Sequence, residues 1–315
     1  MPTNIELKNT IHIKNRLIVD STINADYAWQ HYDLSNQLEY DSLNNNTAIP
    51  DFVRTALITR ETRPRVETID DGLLIILRGV NLNPDEDHDD MVSLRIWAQK
   101  DLIITAQYRK LQTTSEFWKR AQSSSAEPSV SVLLAKIIST LFQKIEDTVL
   151  ELADTIDDLE EQVSGPISAE VREKIATQRH AIVAFKRHLL PQREVVSQLR
   201  YSNLDWLHDN HRNYHNENYE RVMRNVEDLE MMRDKLNIIK EEVQYLLSER
   251  LNKNMYVLSI VTTIFLPLGF LTGLLGINIS GIPGSEYSNA FWVFCGILAV
   301  VVIIQLIIFK KKKWL

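Results

Sequence analysis

Seven residues toward the C-terminal end carry the clearest chemistry. Met255, Leu258, Thr262, Leu266, Gly269, Gly273 and Gly276 follow one another at spacings of three and four, which puts them on one stripe of a helix. Small and slightly polar residues along that stripe, with bulky Ile, Val and Phe elsewhere, fit contact with other helices or with water. Gly269 and Gly273 form a Gly-x-x-x-Gly pair that permits close backbone approach, and plain helix packing would use it equally well. The stripe runs into the triplet Gly276-Ile277-Asn278 at the start of a short loop.

A second candidate set is His208, His211 and His215, spaced three and four apart with Asp205, Asp209 and Glu217 nearby. On one helix all three imidazoles would share a face, and borderline-soft Zn²⁺ favours such ligands. The surrounding Asn210, Asn213, Asn216 and Asn218 fit a loop with solvated histidines equally well. His180 and His188 read as surface residues. No Gly-rich phosphate loop, Gly-x-Ser-x-Gly, His-Glu-x-x-His or paired-Cys metal spacing occurs, so an enzyme is the least favoured class.

The elements that must position the stripe are two uncharged apolar stretches. No Lys, Arg, Asp, Glu or His lies between Lys253 and Glu286, or between Glu286 and Lys310. Each stretch exceeds the roughly 20 residues that span a hydrocarbon core, and neither has the polar stripe of a soluble helix. Lys310, Lys311, Lys312 and Lys313 follow the second stretch, Arg250 and Lys253 precede the first, and the loop between carries only acidic Glu286. The positive-inside rule then makes both termini cytoplasmic in an inner-membrane protein with two spans. The lysines would anchor in lipid headgroups, or ring an inner pore mouth in an oligomer. The N-terminus has no apolar signal segment, and the single Cys295 excludes an intrachain disulfide.

The remainder is a water-exposed body. A net charge of −7 and 24% charged residues argue against nucleic acid as the main partner. From about Asp51 to Tyr108 the pattern changes from helical to extended. Leu73 to Val80 is an apolar run after the turn signal Asp70-Asp71-Gly72, Met91 to Ala98 alternates, and Lys100-Asp101 turns into Leu102 to Ala106. These predict a small antiparallel sheet with helices around it. After the polar break Ser123 to Pro128, Leu141, Ile145, Val149, Leu152, Ile156, Leu159 and Val163 form a packing stripe. Ser164-Gly165-Pro166 ends that helix, and Val171, Ile175, Ile182, Phe185 and Leu189 face inward on a second, antiparallel one. Pro191 is expected to kink or end it. A third pattern runs from about Asn216 without Gly or Pro as far as Pro267, so one helix of roughly 90 Å can continue into the bilayer.

The first helix of the pair is acidic (Glu146, Asp147, Glu151, Asp154, Asp157, Asp158, Glu160, Glu161) and the second basic (Lys174, Arg179, Lys186, Arg187, Arg193). Ordinary interhelical ion pairs account for this, and a cation-attracting surface is the functional alternative.

At Gly276-Ile277-Asn278 the chain resembles the CorA-type divalent metal ion transporters, whose signature is Gly-Met-Asn at the outer end of the first of two spans. Gly-Ile-Asn is the variant of the zinc-transporting ZntB branch. Thr263-Ile264-Phe265-Leu266-Pro267-Leu268, the final Lys-Lys-Lys-Lys-Trp-Leu, Glu61 to Arg65 and Leu77 to Pro84 are similar as well. The likeness covers about Asp51 to Leu315, whereas the first 50 residues have no close match.

The resemblance implies a funnel-shaped homopentamer that moves Zn²⁺ inward, with no resident cofactor. The first spans would line the pore, with Gly276, Ile277 and Asn278 as its selectivity loop and Glu286 as entrance charge. Five Asn278 amides would hydrogen-bond the water shell of a divalent ion without trapping it. Thr262 would offer hydroxyls lower down, and Met255, Leu258 and Leu266 apolar constrictions. The corresponding fold class is an α+β cytoplasmic domain, a long stalk helix and two transmembrane helices. Its expected parts are a cytoplasmic α/β domain (1–128), an antiparallel helix pair (129–200), a stalk region (201–254), a pore helix (255–278), an extracytoplasmic loop (279–290), a second span (291–309) and a basic tail (310–315). Proton coupling stays open, because neither span holds a carboxylate or histidine for a relay. A Mg²⁺, Co²⁺ or Ni²⁺ channel of the same architecture is the nearest alternative. A membrane-anchored sensor or scaffold is the alternative from another class, and it gives the stripe and the Gly-Ile-Asn loop no purpose.

Overall fold

The computed structural model describes residues 9–19, 25–123, 125–163, 169–208, 212–276 and 288–312. It divides into two compact units, Met1–Lys240 and Glu241–Leu315.

The first unit is built on a seven-stranded sheet. β1 (Thr10–Lys14), β2 (Leu17–Val19) and β3 (Tyr27–Asp33) come from the N-terminal segment. After helices α1 (Gln37–Asn44) and α2 (Asp51–Ile58) follow β4 (Arg65–Ile69), β5 (Gly72–Gly79), β6 (Val92–Ala98) and β7 (Leu102–Gln107). The order across the sheet is β2-β1-β3-β7-β6-β5-β4. The strands between Arg65 and Gln107 pair antiparallel, as their alternation and turns predict. The small antiparallel sheet is nevertheless corrected to a larger mixed one, because β3 joins parallel to β7, with Trp29 opposite Ile103. Parallel pairing requires a long crossover, and that connection is not marked by any local turn signal. Asp51–Ile58, placed in the extended region, is helix α2, which buries Val53, Ala56 and Leu57 at helical spacing.

Local chemistry fixes the β4–β5 hairpin at one edge of the sheet. Asp70 takes φ 53°, a left-handed value that Asp tolerates in a tight turn, and Ile69 then faces Gly72 across a two-residue loop. A Cβ on Gly72 would lie 2.3 Å from the Trp97 ring, so only glycine lets that indole lie over the strand. β5 is buried on both faces. Leu74, Trp97 and Ile104 join Leu43, Val53 and Leu57 of α1 and α2 in one core cluster, while a Cβ on Gly79, on the opposite face, would press on Leu111 and on Leu141 of the helix described next.

The helices follow their periodicity. α3 (Gln112–Gln122) leads to α4 (Val130–Val163), whose seven predicted stripe residues from Leu141 to Val163 are buried. α5 (Ala169–Arg200) packs on α4, β4 and β5. It continues through Pro191, so of the expected kink or end the end is excluded. The lost N–H costs one helical bond, and the packed neighbours Leu189, Val195 and Val196 hold the turn. The short α6 (Asp205–His208) is tied to the β4–β5 hairpin by Trp206, whose Nε1 donates to the Asp71 carbonyl at 2.8 Å. α7 runs unbroken over Arg212–Leu275, and α8 over Ala290–Lys311.

Ion pairs within the first unit link α4 to α7. Arg221 meets Glu146 at 2.8 Å, and Lys235 meets Asp157 and Glu160 at 2.9 and 2.6 Å. The basic α5 reaches α7 through Lys186–Glu230 at 3.1 Å. Among the described residues no α4–α5 ion pair occurs, so opposite charge on neighbouring helices did not identify the partners.

Candidate ion pathway

Two helices, α7 and α8, are long and apolar enough to cross a membrane. On α7, Met255, Leu258, Thr262, Leu266, Gly269 and Gly273 occupy one narrow arc, because steps of three and four residues nearly complete whole turns. Among the described residues this arc is open. Met255 and Leu258 are 66% exposed and Leu266 is 68% exposed. A Cβ on Gly269 or Gly273 would meet nothing within 4 Å.

Four hydroxyls in the apolar part of α7 are already committed as donors. Thr262 Oγ1 donates to the Leu258 carbonyl at 2.8 Å, and Ser259, Thr263 and Thr272 bond back by one turn in the same way. The Thr262 oxygen thus keeps its lone pairs for an incoming donor. A hydrated cation presents water hydrogens outward, so a ring of such oxygens is matched to an ion that keeps its shell.

α8 lies beside α7 within the second unit. Phe265, Leu268, Gly269 and Thr272 of α7 share an apolar groove with Leu298, Ala299 and Val302 of α8, so Gly269 borders α8 as well as the open arc. The sequence reading passed over one functional contact here. Pro267 has no N–H for the Thr263 carbonyl one turn below it, and Gln305 of α8 donates its Nε2 to that carbonyl at 3.1 Å. A proline in one span and a lone amide in the other were the available signal.

Gly276 closes the last turn of α7, donating to Thr272 O at 2.8 Å. A Cβ there would come within 2.7 Å of the same carbonyl oxygen, which accounts for glycine at this position. Ile277, Asn278 and Glu286 lie outside the described residues. Lys310 and Lys311 end α8 and Lys312 caps it, all three exposed, and Lys313 lies outside the described residues.

Of His208, His211 and His215, only His215 has described side-chain surroundings. His208 closes α6, His211 lies outside the described residues, and His215 is buried on α7 at 2% exposure. Among the described residues no three His, Cys, Asp or Glu side chains gather as a metal site. His188, expected at the surface, is half-buried, and burial together with Arg78 and Arg187 pushes its pKa down to about 4.

The comparisons with known proteins agree with this arrangement. The sequence profile described as "CorA-like Mg2+ transporter protein" matches residues 24–311. The divalent cation transporter CmaX of Pseudomonas aeruginosa is 31% identical over 304 residues, covering 96% of this chain and 92% of that protein. The zinc transport protein ZntB of Yersinia enterocolitica is 31% identical over 287 residues, covering 91% and 88%. Among solved structures, full-length CmaX superposes with a TM-score of 0.82 at 30% identity over 97% of both chains. The CorA magnesium transporter of Methanocaldococcus jannaschii shares the fold at a TM-score of 0.80 and 24% identity over 95% of both chains.

Proposed function

The chain belongs to the CorA-like Mg²⁺ transporter family, and on that premise we propose that it carries Zn²⁺ into the cell through a homopentameric pore lined by α7. The family is one of divalent-cation transporters and not of enzymes. The observation that carries the finer reading is the open arc on α7. Among the described residues its apolar, glycine and threonine positions are exposed, with only Gly269 bordering α8, although a lone apolar helix gains nothing in lipid from concentrating small residues on one side. Copies of the same arc facing a common axis give those positions a purpose, with α8 outside.

In that assembly Asn278 amide oxygens at the outer mouth hydrogen-bond the water shell of the arriving ion. Neutral oxygens attract it without the tight inner-sphere ligation that carboxylates would give Zn²⁺. Thr262 oxygens receive the hydrated ion lower in the pore, and Met255, Leu258 and Leu266 form constrictions that conduct only when wetted. The lysines from Lys310 to Lys313 keep both termini on the cytoplasmic side of the inner membrane, and Glu286 attracts cations at the outer entrance. Zn²⁺ is preferred as cargo because Gly276-Ile277-Asn278 is the ZntB form of the signature and a zinc transport protein ZntB aligns over 91% of the chain. The family description itself favours Mg²⁺ as the second reading. His208, His211 and His215 remain candidates for a cytoplasmic loading site for the same ion.

The test is flux into sealed proteoliposomes holding purified protein and an ion-sensitive dye. Zn²⁺ entry that collapses in Asn278→Ala, with the oligomer intact, supports the selectivity loop. Unchanged flux in that variant would sink it. Mg²⁺ entry in preference to Zn²⁺ moves the cargo assignment to Mg²⁺, and acceleration by an inward proton gradient establishes coupling.

A further inference from the structure

A cavity of about 820 Å³ in the first unit is lined by Arg60, Arg78, Arg95 and Arg109 together with Tyr108 and Ser93, and among the described residues no Asp or Glu lines it. The four arginines come from the end of α2, from β5, from β6 and from the turn after β7. Strand register brings two of these elements together, with Arg78 directly opposite Ser93.

The cavity's positive charge is only partly answered. Arg109 pairs with Asp90 at 2.6 Å and Glu86 at 3.3 Å. For Arg60, Arg78 and Arg95 there is no carboxylate within ion-pair distance among the described residues. Arg95 is 1% exposed. Its Nε and Nη2 cap the C-terminal end of α2 by donating to the Thr59 and Arg60 carbonyls at 2.8 to 3.2 Å. That contact accounts for three of its five N–H donors and leaves Nη1 without a hydrogen-bond partner. Arg78 donates to the Met91 and Thr62 carbonyls at 2.9 and 3.1 Å, and its Nε is likewise buried without a partner. The Arg60 and Arg95 guanidinium carbons lie 5.3 and 5.1 Å from the centre of the Tyr108 ring, an arrangement that holds the cations without neutralising them.

Uncompensated buried cations are costly, on the order of several kcal/mol each. A carbonyl cap answers a dipole and leaves the charge. The group that answers several convergent guanidinium forks at once is a multiply charged oxyanion, whose oxygens accept paired N–H bonds. The volume falls within the roughly 300–1,000 Å³ of small-molecule sites, well above what one inorganic phosphate fills. We propose that this cavity binds a phosphorylated small molecule of nucleotide size, with its phosphates against Arg60, Arg78 and Arg95. The site is separate from the ion pathway and does not depend on which cation the protein carries.

The test is calorimetric titration of the full-length protein in nanodiscs, in metal-free buffer, with ATP, pyrophosphate and inorganic phosphate as probes. ATP and pyrophosphate should bind at micromolar concentration, and more weakly as salt rises. Exposed Arg60→Ala should weaken ATP at least tenfold, as should Ser93→Glu, which sets a carboxylate among the arginines. Both variants leave the Arg95 cap intact, so loss of folding does not confuse the result. Absence of heat with ATP and pyrophosphate at millimolar concentration would overturn the proposal, as would unchanged affinity in both variants. Inorganic phosphate binding as tightly as ATP would overturn its size argument.

Discussion

Gln305 of α8 supplies to the Thr263 carbonyl of α7 the hydrogen bond that Pro267 cannot give. In lipid no water replaces a missing donor, so an unanswered carbonyl is costly and a neighbouring helix must answer it. The contact therefore fixes both the lateral position and the rotation of α8 against α7 at that level. It also explains an amide in a helix otherwise made almost entirely of apolar residues.

Replacing this amide should expose the dependence. Gln305→Leu should lower the thermal stability of the reconstituted protein by about 1 kcal/mol, the usual scale of an interhelical bond in a membrane. In a Pro267→Ala background, where the restored backbone N–H donates to the Thr263 carbonyl, the same replacement should cost markedly less. Equal losses in both backgrounds would mean that Gln305 does not serve that carbonyl.

Thr262→Val keeps the branched shape and removes the oxygen that faces the open arc. Zn²⁺ flux should fall about tenfold, close to the loss of one hydrogen bond of roughly 1 kcal/mol from the ion's shell at the pore. Helix content and oligomeric state should stay the same. Thr263→Val and Thr272→Val, on other faces of α7, are the comparison, and equal flux loss in all three would remove Thr262 from the pathway.

Gly276→Ala tests the end of α7 and, with it, the proposed pore loop. The new methyl would contact the Thr272 carbonyl at 2.7 Å, so the last turn must open, at a local cost of about 1–3 kcal/mol. Because Asn278 follows two residues later, flux should drop more than stability does. Wild-type flux in this variant would show that the turn can relax without moving the loop.

Acid should weaken the first unit through His31. Its Nδ1 lies 2.8 Å from Thr105 Oγ1, which also accepts Trp29 Nε1–H at 2.9 Å, and its Nε2 faces the Gln107 amide nitrogen at 3.4 Å. This surrounds a neutral ring, since a second N–H would point at another donor. Burial, opposed by Asp33, pushes the His31 pKa down to about 4, against about 6.5 in the unfolded chain. The unfolded state therefore takes up the proton first as pH falls. The contribution is complete above pH 6.5, declines between 6.5 and 4, and is gone below, amounting to at most about 3 kcal/mol. Unfolding followed by Trp fluorescence at pH 7.5 and 4.5 should show a smaller drop in His31→Gln than in the parent, and an identical drop would assign the acid sensitivity elsewhere.

The two spans, the unbroken run of α7, the packing stripes of α4 and α5 and the strands β5, β6 and β7 were legible in the chain. Each is written in a local period or a local breaker. Leu141 to Val163 repeat at helical intervals, Asp70-Asp71-Gly72 makes its own turn, and an uncharged run of span length has few places to go but lipid. The stripe from Met255 to Gly273 was legible as one face of α7 for the same reason, since a helix of known period converts spacing directly into a face, whereas Ile277 and Asn278 lie outside the described residues.

What the sequence by itself left undetermined rests on contacts between distant residues. β3 beside β7 in parallel, the α4–α7 ion pairs in place of α4–α5 ones, and α5 running through Pro191 depend on which surfaces meet, and no local propensity encodes that. Gln305 meeting Thr263 across 42 positions, and four arginines from four elements closing on one cavity, are of the same kind. Periodicity reports which side of an element is apolar. Tertiary structure decides what that side faces, because burial and polar satisfaction are properties of pairs of surfaces.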